Sequence, residues 1–169
     1  MTPFVHIQES PLNPESIREA AKSPKSGAVV IFEGCARDSH EGRTVAELSY
    51  EAYVPMALSQ LQALRESAIA EFSLNACFIH HRLGTVPISE AAIVVACAST
   101  HRAESFRAAA WLLDEIKKTV PIWKRELYLG EQDENALRES HYSWVEGEER
   151  RGRGLGNRHK YQRGRSPHQ

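Results

Sequence analysis

The order in which strand-like and helix-like stretches follow one another constrains this chain most. "GAVVIFEGCAR" (27–37) is a strongly apolar strand that runs into a polar loop, "DSHEGR". "VAELSYEAY" (45–53) alternates apolar and polar residues, as a half-buried strand should. Between Pro55 and Phe72, Leu61, Leu64, Ala68 and Phe72 recur at helical spacing and mark an amphipathic helix. "ACFIHHRLG" and "AAIVVACAS" are two further strands, separated by a Pro-containing turn. A helix follows from about Ala103 to Lys118, then a strand "WKRELYLG" and another at "HYSWVE". A short strand, "FVHI", and a helix opened by Asn13 as N-cap with Pro14 at its first position precede all of these. Strands and helices mix without a regular βαβ rhythm, so the pattern predicts an α+β domain and not a doubly wound sheet.

With 169 residues, of which 41% are hydrophobic, one domain with a real core is expected. No apolar run approaches the ~20 residues that a membrane span needs. The start, "MTPFVHIQES", lacks the basic region and apolar stretch of an export signal. Charge is uneven. From Arg150 onward the chain holds seven Lys or Arg and no acid, leaving 14 basic against 22 acidic residues before it. The expected organisation is a domain over 1–149 and a Gly- and Arg-rich basic tail over 150–169, whose composition predicts disorder. Because the body is acidic, any anion site in it must be built locally. Cys35, Cys77 and Cys97 are odd in number, form no CxxC pair and sit in strand-like runs. They are expected to be buried, reduced thiols of a cytoplasmic protein.

The stretch "KKTVPIWKRE" (117–126) carries the first chemical suggestion. At about 100° per residue, Phe106, Ala109, Ala110 and Leu113 form one stripe with Ile116 at its edge. Lys117 falls within about 20° of Phe106 and is expected to point down that stripe, whereas Lys118 shares the charged side with Arg107 and Asp114. Trp111 also falls on the polar side, which suggests a protein contact. Val120-Pro121 must end the helix, and the turn there lets Lys117 and Lys124 line one pocket. An ordinary lysine is only ~0.04% neutral at pH 7. Apolar walls and a second cation both favour the neutral amine, as lysine acid/base or nucleophilic chemistry requires. The alternative is that Lys117 snorkels from the helix end and complements its dipole.

"ASTHRAESF" places His101 and Arg102 between an apolar strand and the first turn of a helix. Free N–H groups, the helix dipole and two basic side chains meet there, as an anion site requires. Ordinary capping and ion pairing is the competing reading. Arg37 ends its strand and can point the same way. His80 and His81 are adjacent on a strand and face opposite sides, and no HxxxH or Cys/His spacing exists, so no metal is expected.

Taken together, "GAVVIFEGCAR", "LSYEAY", "HHRLG", "STHRAESF" and "DEIKKTVPIWKRE" resemble the catalytic (large) subunit family of molybdopterin synthase, over roughly residues 4–146. The resemblance implies an α/β-hammerhead fold and no cofactor. It also implies a homodimer that binds two small ubiquitin-like sulfur-carrier subunits to give a heterotetramer. The carrier's C-terminal Gly-Gly thiocarboxylate would enter a pocket of this chain and pass its sulfur to cyclic pyranopterin monophosphate, two transfers building the dithiolene of molybdopterin. Residue by residue, Lys117 and Lys124 match the family's pocket lysines, the first as acid/base candidate and the second for positioning and charge stabilisation. His101, Arg102 and Arg37 match substrate-anion residues, and Arg138 resembles an arginine supplied across the dimer. Ser89 stands where relatives commonly have Gly before Glu, and the basic tail lies outside the resemblance. A sulfurtransferase is thus the expected function. The alternatives are a non-catalytic carrier-docking module and a nucleic-acid binder acting through the tail, whose binding would be steeply salt-dependent.

Overall fold

The computed structural model describes residues 1–40 and 42–128, together with the backbone of 142–145. Arg138 and the basic tail lie outside the described residues. Nine strands and three helices are described, in the order β1 (Val5–Gln8), α1 (Pro14–Ala21), β2 (Ala28–Cys35), β3 (Ser39–His40), β4 (Arg43–Ala52), α2 (Val54–Phe72), β5 (Ala76–Arg82), β6 (Gly84–Val86), β7 (Ala91–Ser99), α3 (Arg102–Thr119), β8 (Ile122–Tyr128) and β9 (Tyr142–Val145). They form two sheets. One runs β1-β5-β7-β2, with β1 parallel to β5 and the other pairs antiparallel. The second runs β3-β4-β8-β9, with β6 on β4. The chain is an α+β domain, as the mixed pattern predicts.

Local chemistry explains the element boundaries. Asn13 Oδ1 accepts the Ser16 N–H at 3.0 Å and Pro14 occupies the first turn, so α1 starts where the sequence says it should. The polar "DSHEGR" stretch, expected as a loop, contains the short hairpin β3–β4. Gly42, at φ 79°, makes the turn tight enough for two strands to pair across it. The Pro-containing turn likewise hides β6. Ser89 in that turn adopts φ 73°, a left-handed conformation that favours glycine and is strained for serine.

The main core lies between the first sheet and helices α2 and α3. Leu61, Ile79, Val95, Cys97, Leu112 and Val120 are buried in it, and each large aliphatic contributes about 1.5–3 kcal/mol through burial. Cys77 and Cys97 are buried as expected and stand opposite one another on β5 and β7. Contact with Cys77 and burial push the Cys97 thiol up, and neither cysteine is in a disulfide. Cys35 departs from expectation. It is exposed at the end of β2, beside a register shift between Gly34 and Cys35.

His80 and His81 are structural. The His80 ring lies 2.7 Å from the Pro3 carbonyl, and His81 Nδ1 lies 2.8 Å from the Arg82 carbonyl. Burial lowers His81 to about 4. The unfolded imidazole takes up its proton near ~6.5, so between these values the unfolded state binds more protons and stability falls as pH drops. The expected loss from His81 is about 3 kcal/mol between pH ~6.5 and ~4, with His80 adding in the same direction. Denaturant unfolding of wild type and His81→Gln at pH 7 and pH 4.5 checks this. The variant should lose less stability on acidification, and parallel losses would show that His81 is protonated in the fold.

Candidate active site

The last turn of α3, strand β8 and the β3–β4 hairpin carry a cluster of ionisable groups. Helix α3 ends at Thr119, and Val120 N–H donates to the Ile116 carbonyl at 3.0 Å. The chain then turns at Pro121, whose carbonyl accepts the Tyr53 N–H, and enters β8. Lys117 and Lys124 therefore flank one short turn.

Their surroundings differ from expectation. The buried face of α3 consists of Ser105, Ala108, Ala109, Leu112 and Ile116, centred about 100° from Phe106. Phe106 is 62% exposed, and Ala110 and Lys117 on the same side are exposed as well. The helix offers two overlapping apolar stripes. Packing against β2 and β7 selects the one built from Ala and Ser, because small side chains let the helix approach strands that are themselves rich in Ala and Cys. Lys117 thus lies outside the buried apolar face of α3. Trp111, expected to await a protein contact, instead packs on Phe72 with ring centroids 5.8 Å apart. Lys118 donates to Glu115 at 2.8 Å on the exposed side, and that hydrogen bond raises its pKa.

Lys124 is held by a partner that the sequence reading did not single out. Glu126 is 2% exposed, and its Oε1 takes the Lys124 ammonium. Its Oε2 accepts the Tyr128 hydroxyl, while His40 Nδ1 lies 3.2 Å from the same oxygen and 3.1 Å from the Tyr128 hydroxyl. Arg43 stacks 3.5 Å above the Tyr128 ring. Burial alone would raise the Glu126 carboxyl, but the Lys124 and Tyr128 hydrogen bonds, with the Lys124 and His40 charges, bring it below its usual value. Tyr50, register partner of Lys124, is pushed up to about 12 by burial and by Glu126, and stays a neutral phenol. A signal for this cluster was present. Lys124, Glu126 and Tyr128 alternate at period two and so share one strand face.

His101 and Arg102 sit at the other end of α3. His101 is the N-cap in extended conformation with no side-chain cap bond, so it leaves the first-turn N–H groups uncapped by a side chain. Both residues are exposed. The loop presenting them is fixed from beneath: Ser99 Oγ donates to the His101 carbonyl at 2.6 Å and also meets buried Ser105. Gly27 is required here, because a Cβ would lie 2.4 Å from the Thr100 carbonyl oxygen. Fifteen residues separate Arg102 from Lys117, a rise of about 22 Å along the helix. Within one chain the anion residues and the lysines therefore do not form a single pocket. Arg37 is exposed just beyond β2. Since α3 retraces β7 and packs on β2, the Arg37 end of β2 lies towards the lysine end of the helix.

No group of three or more His, Cys, Asp or Glu suited to a metal occurs among the described residues. None of the described helices is long and apolar enough to cross a membrane.

The family model described as MoaE protein matches residues 7–119. Relatives named molybdopterin synthase catalytic subunit include one from Taeniopygia guttata, 37% identical over 147 residues, covering 86% of this chain and 88% of the relative. One from Aspergillus fumigatus is 46% identical and covers 74% of this chain and 68% of the relative. One from Oryza sativa subsp. indica is 50% identical, covering 61% and 53%. The chain thus spans from about half to nearly nine tenths of these relatives' lengths. Among solved structures, molybdopterin synthase from Staphylococcus aureus superposes with TM-score 0.74 at 31% identity, covering 85% of this chain and 98% of that one. A complex of subunits 1 and 2 of molybdopterin-converting factor from Helicobacter pylori shares the fold, with TM-score 0.63 at 19% identity, covering 75% and 86%.

Proposed function

The chain belongs to the MoaE protein family, and from that premise we propose that it is the catalytic subunit of a molybdopterin synthase, acting in the cytoplasm. The substrate is cyclic pyranopterin monophosphate, and sulfur arrives on the C-terminal thiocarboxylate of a small ubiquitin-like carrier subunit. Two transfers build the dithiolene of molybdopterin. The observation that carries this reading is the paired-lysine turn, with Lys124 anchored on buried Glu126, in a chain of this family. Lys117 serves as the acid/base candidate, and Lys124 positions the reacting group and offsets its developing negative charge. Mixing the chain with thiocarboxylated carrier and the cyclic pterin, then assaying dithiolene product, tests the function directly. Absence of product with folded, carrier-binding protein would refute it and favour a docking module.

The 22 Å scale of α3 bears on assembly. A small phosphate ester cannot reach from Arg102 to Lys117 of the same chain, so we infer that a second copy supplies His101 and Arg102 to the lysines of the first. A homodimer with two carriers, a heterotetramer, follows from that arrangement. The exposed Phe106–Ala110 side, continuous with Lys117, is a surface that an added chain would desolvate. Arg102→Ala should weaken pterin binding by about 1.5–3 kcal/mol, the worth of a hydrogen bond to a charged group, as read by calorimetry. Mixing Arg102→Ala with Lys117→Ala, at pterin too dilute to saturate Arg102→Ala, should restore about a quarter of wild-type activity, because half of randomly formed dimers carry one intact composite site. No recovery after confirmed subunit exchange would place both groups in one protomer's site.

A further inference from the structure

We propose that His40 is a positioning residue for the sulfur transfer, acting through Glu126 to set how firmly Lys124 is held as an ammonium. The proposal rests on the functional reading above for its consequence, but not for its geometry. Glu126 is buried, and its two oxygens are used differently. Oε1 belongs to Lys124, while Oε2 is shared by the Tyr128 hydroxyl and His40 Nδ1, the latter 3.2 Å away. The carboxylate charge available to Lys124 depends on how much of it the Oε2 donors take up.

His40 can act on Oε2 in two ways. With a proton on Nδ1 it donates to Oε2 beside Tyr128, and the carboxylate then has three donors. With Nδ1 bare it competes as an acceptor for the Tyr128 hydroxyl, 3.1 Å away, and draws that donor off Oε2. The first state loosens the hold on Lys124 and the second tightens it. Among the described residues, these groups surround His40. Glu126, Tyr128 and Lys124 face it from β8. Arg43 is its register partner on β4 and covers the Tyr128 ring, and Tyr50 on β4 is neutral. Arg43 acts on Tyr128 through a hydrogen bond and a fixed charge, whereas His40 adjoins both Oε2 and the Tyr128 hydroxyl and is the adjustable member. It sits in the hairpin that Gly42 closes, and only that hairpin brings it to β8.

The test is an NMR titration of the Lys124 side-chain Cε resonance, assigned with Lys124→Arg, in the full chain without substrate. His40→Phe and His40→Ala both remove the donor, and His40→Asn retains an N–H where Nδ1 lies. Both donor-free variants should move the Lys124 midpoint to higher pH by about 0.5 unit or more, because they take the Nδ1–H donor off Oε2 and a less-shared carboxylate favours the ammonium. His40→Asn should stay within about 0.2 unit of wild type. In single turnover, the alkaline limb of the rate profile should shift with the midpoint. An unmoved midpoint in His40→Phe and His40→Ala overturns the proposal, and so does an equal shift in His40→Asn. A wild-type chain that makes no dithiolene product would instead overturn the proposed function, and the titration would still decide the role of His40.

Discussion

Replacing Lys117 by Ala is expected to lower single-turnover dithiolene formation by about 10²-fold or more, the scale of a lost general acid/base. Lys118→Ala should stay near wild type, since Lys118 spends its charge on Glu115 at the exposed surface. The informative variant is Lys117→Arg. A guanidinium keeps the positive charge but stays protonated at any relevant pH, so it cannot exchange a proton with the reacting atoms. Because Lys117 is exposed, apolar cover for its amine would come from a second chain lying on the Phe106 side of α3. Lys117→Arg should therefore be as damaged as Lys117→Ala in the complete assembly, at saturating carrier. A nearly fully active Lys117→Arg would mean that only charge is needed there. Equal damage in Lys118→Ala would reduce both lysines to a diffuse positive patch.

Glu126→Ala is the second change with a large expected effect, and it acts on folding and chemistry together. Removing a buried carboxylate leaves Lys124, the Tyr128 hydroxyl and His40 without their common acceptor. Breaking a fully buried pair costs about 3–5 kcal/mol, and the partial exposure of Lys124 lets the ammonium recover some hydration, so about 2–3 kcal/mol is expected here. In a domain of this size that corresponds to a fall in melting temperature of roughly 4–12 °C. The pH dependence has a definite sign. The folded carboxyl is held below its unfolded value, so its contribution is complete above the unfolded carboxylate range near ~4.3 and disappears as pH falls through the folded value. The stability gap between wild type and Glu126→Gln should accordingly narrow on acidification. Thermal scans at pH 7 and at pH 3.5 measure it, and a gap independent of pH would show that packing and not charge is lost. Activity should fall with stability at 25 °C even where the variant is fully folded, because Lys124 would no longer be held towards the reacting group.

Several features of this protein follow from short-range chemistry and were legible in the sequence. Asn13-Pro14 sets the start of α1, Val120-Pro121 the end of α3, and period-two alternation marks β4, because capping, proline geometry and side-chain alternation act within a few residues. The same local logic placed His101 and Arg102 at a helix start and the two lysines around a turn. What the tertiary structure alone decided depends on which surfaces meet. The Ala-rich α3 could have buried either of two stripes, and the close approach of the sheet chose the one that leaves Phe106 and Lys117 outside. The rigid length of that helix, about 22 Å between Arg102 and Lys117, keeps His101 and Arg102 away from the lysines of the same chain. His40 and Glu126 are 86 positions apart, and only the β4–β8 pairing and the Gly42 hairpin bring an imidazole, a phenol and an ammonium to one buried carboxylate. Local sequence sets backbone conformation, whereas burial and charge pairing are properties of contacts between distant segments, and those exist only once the sheets have formed.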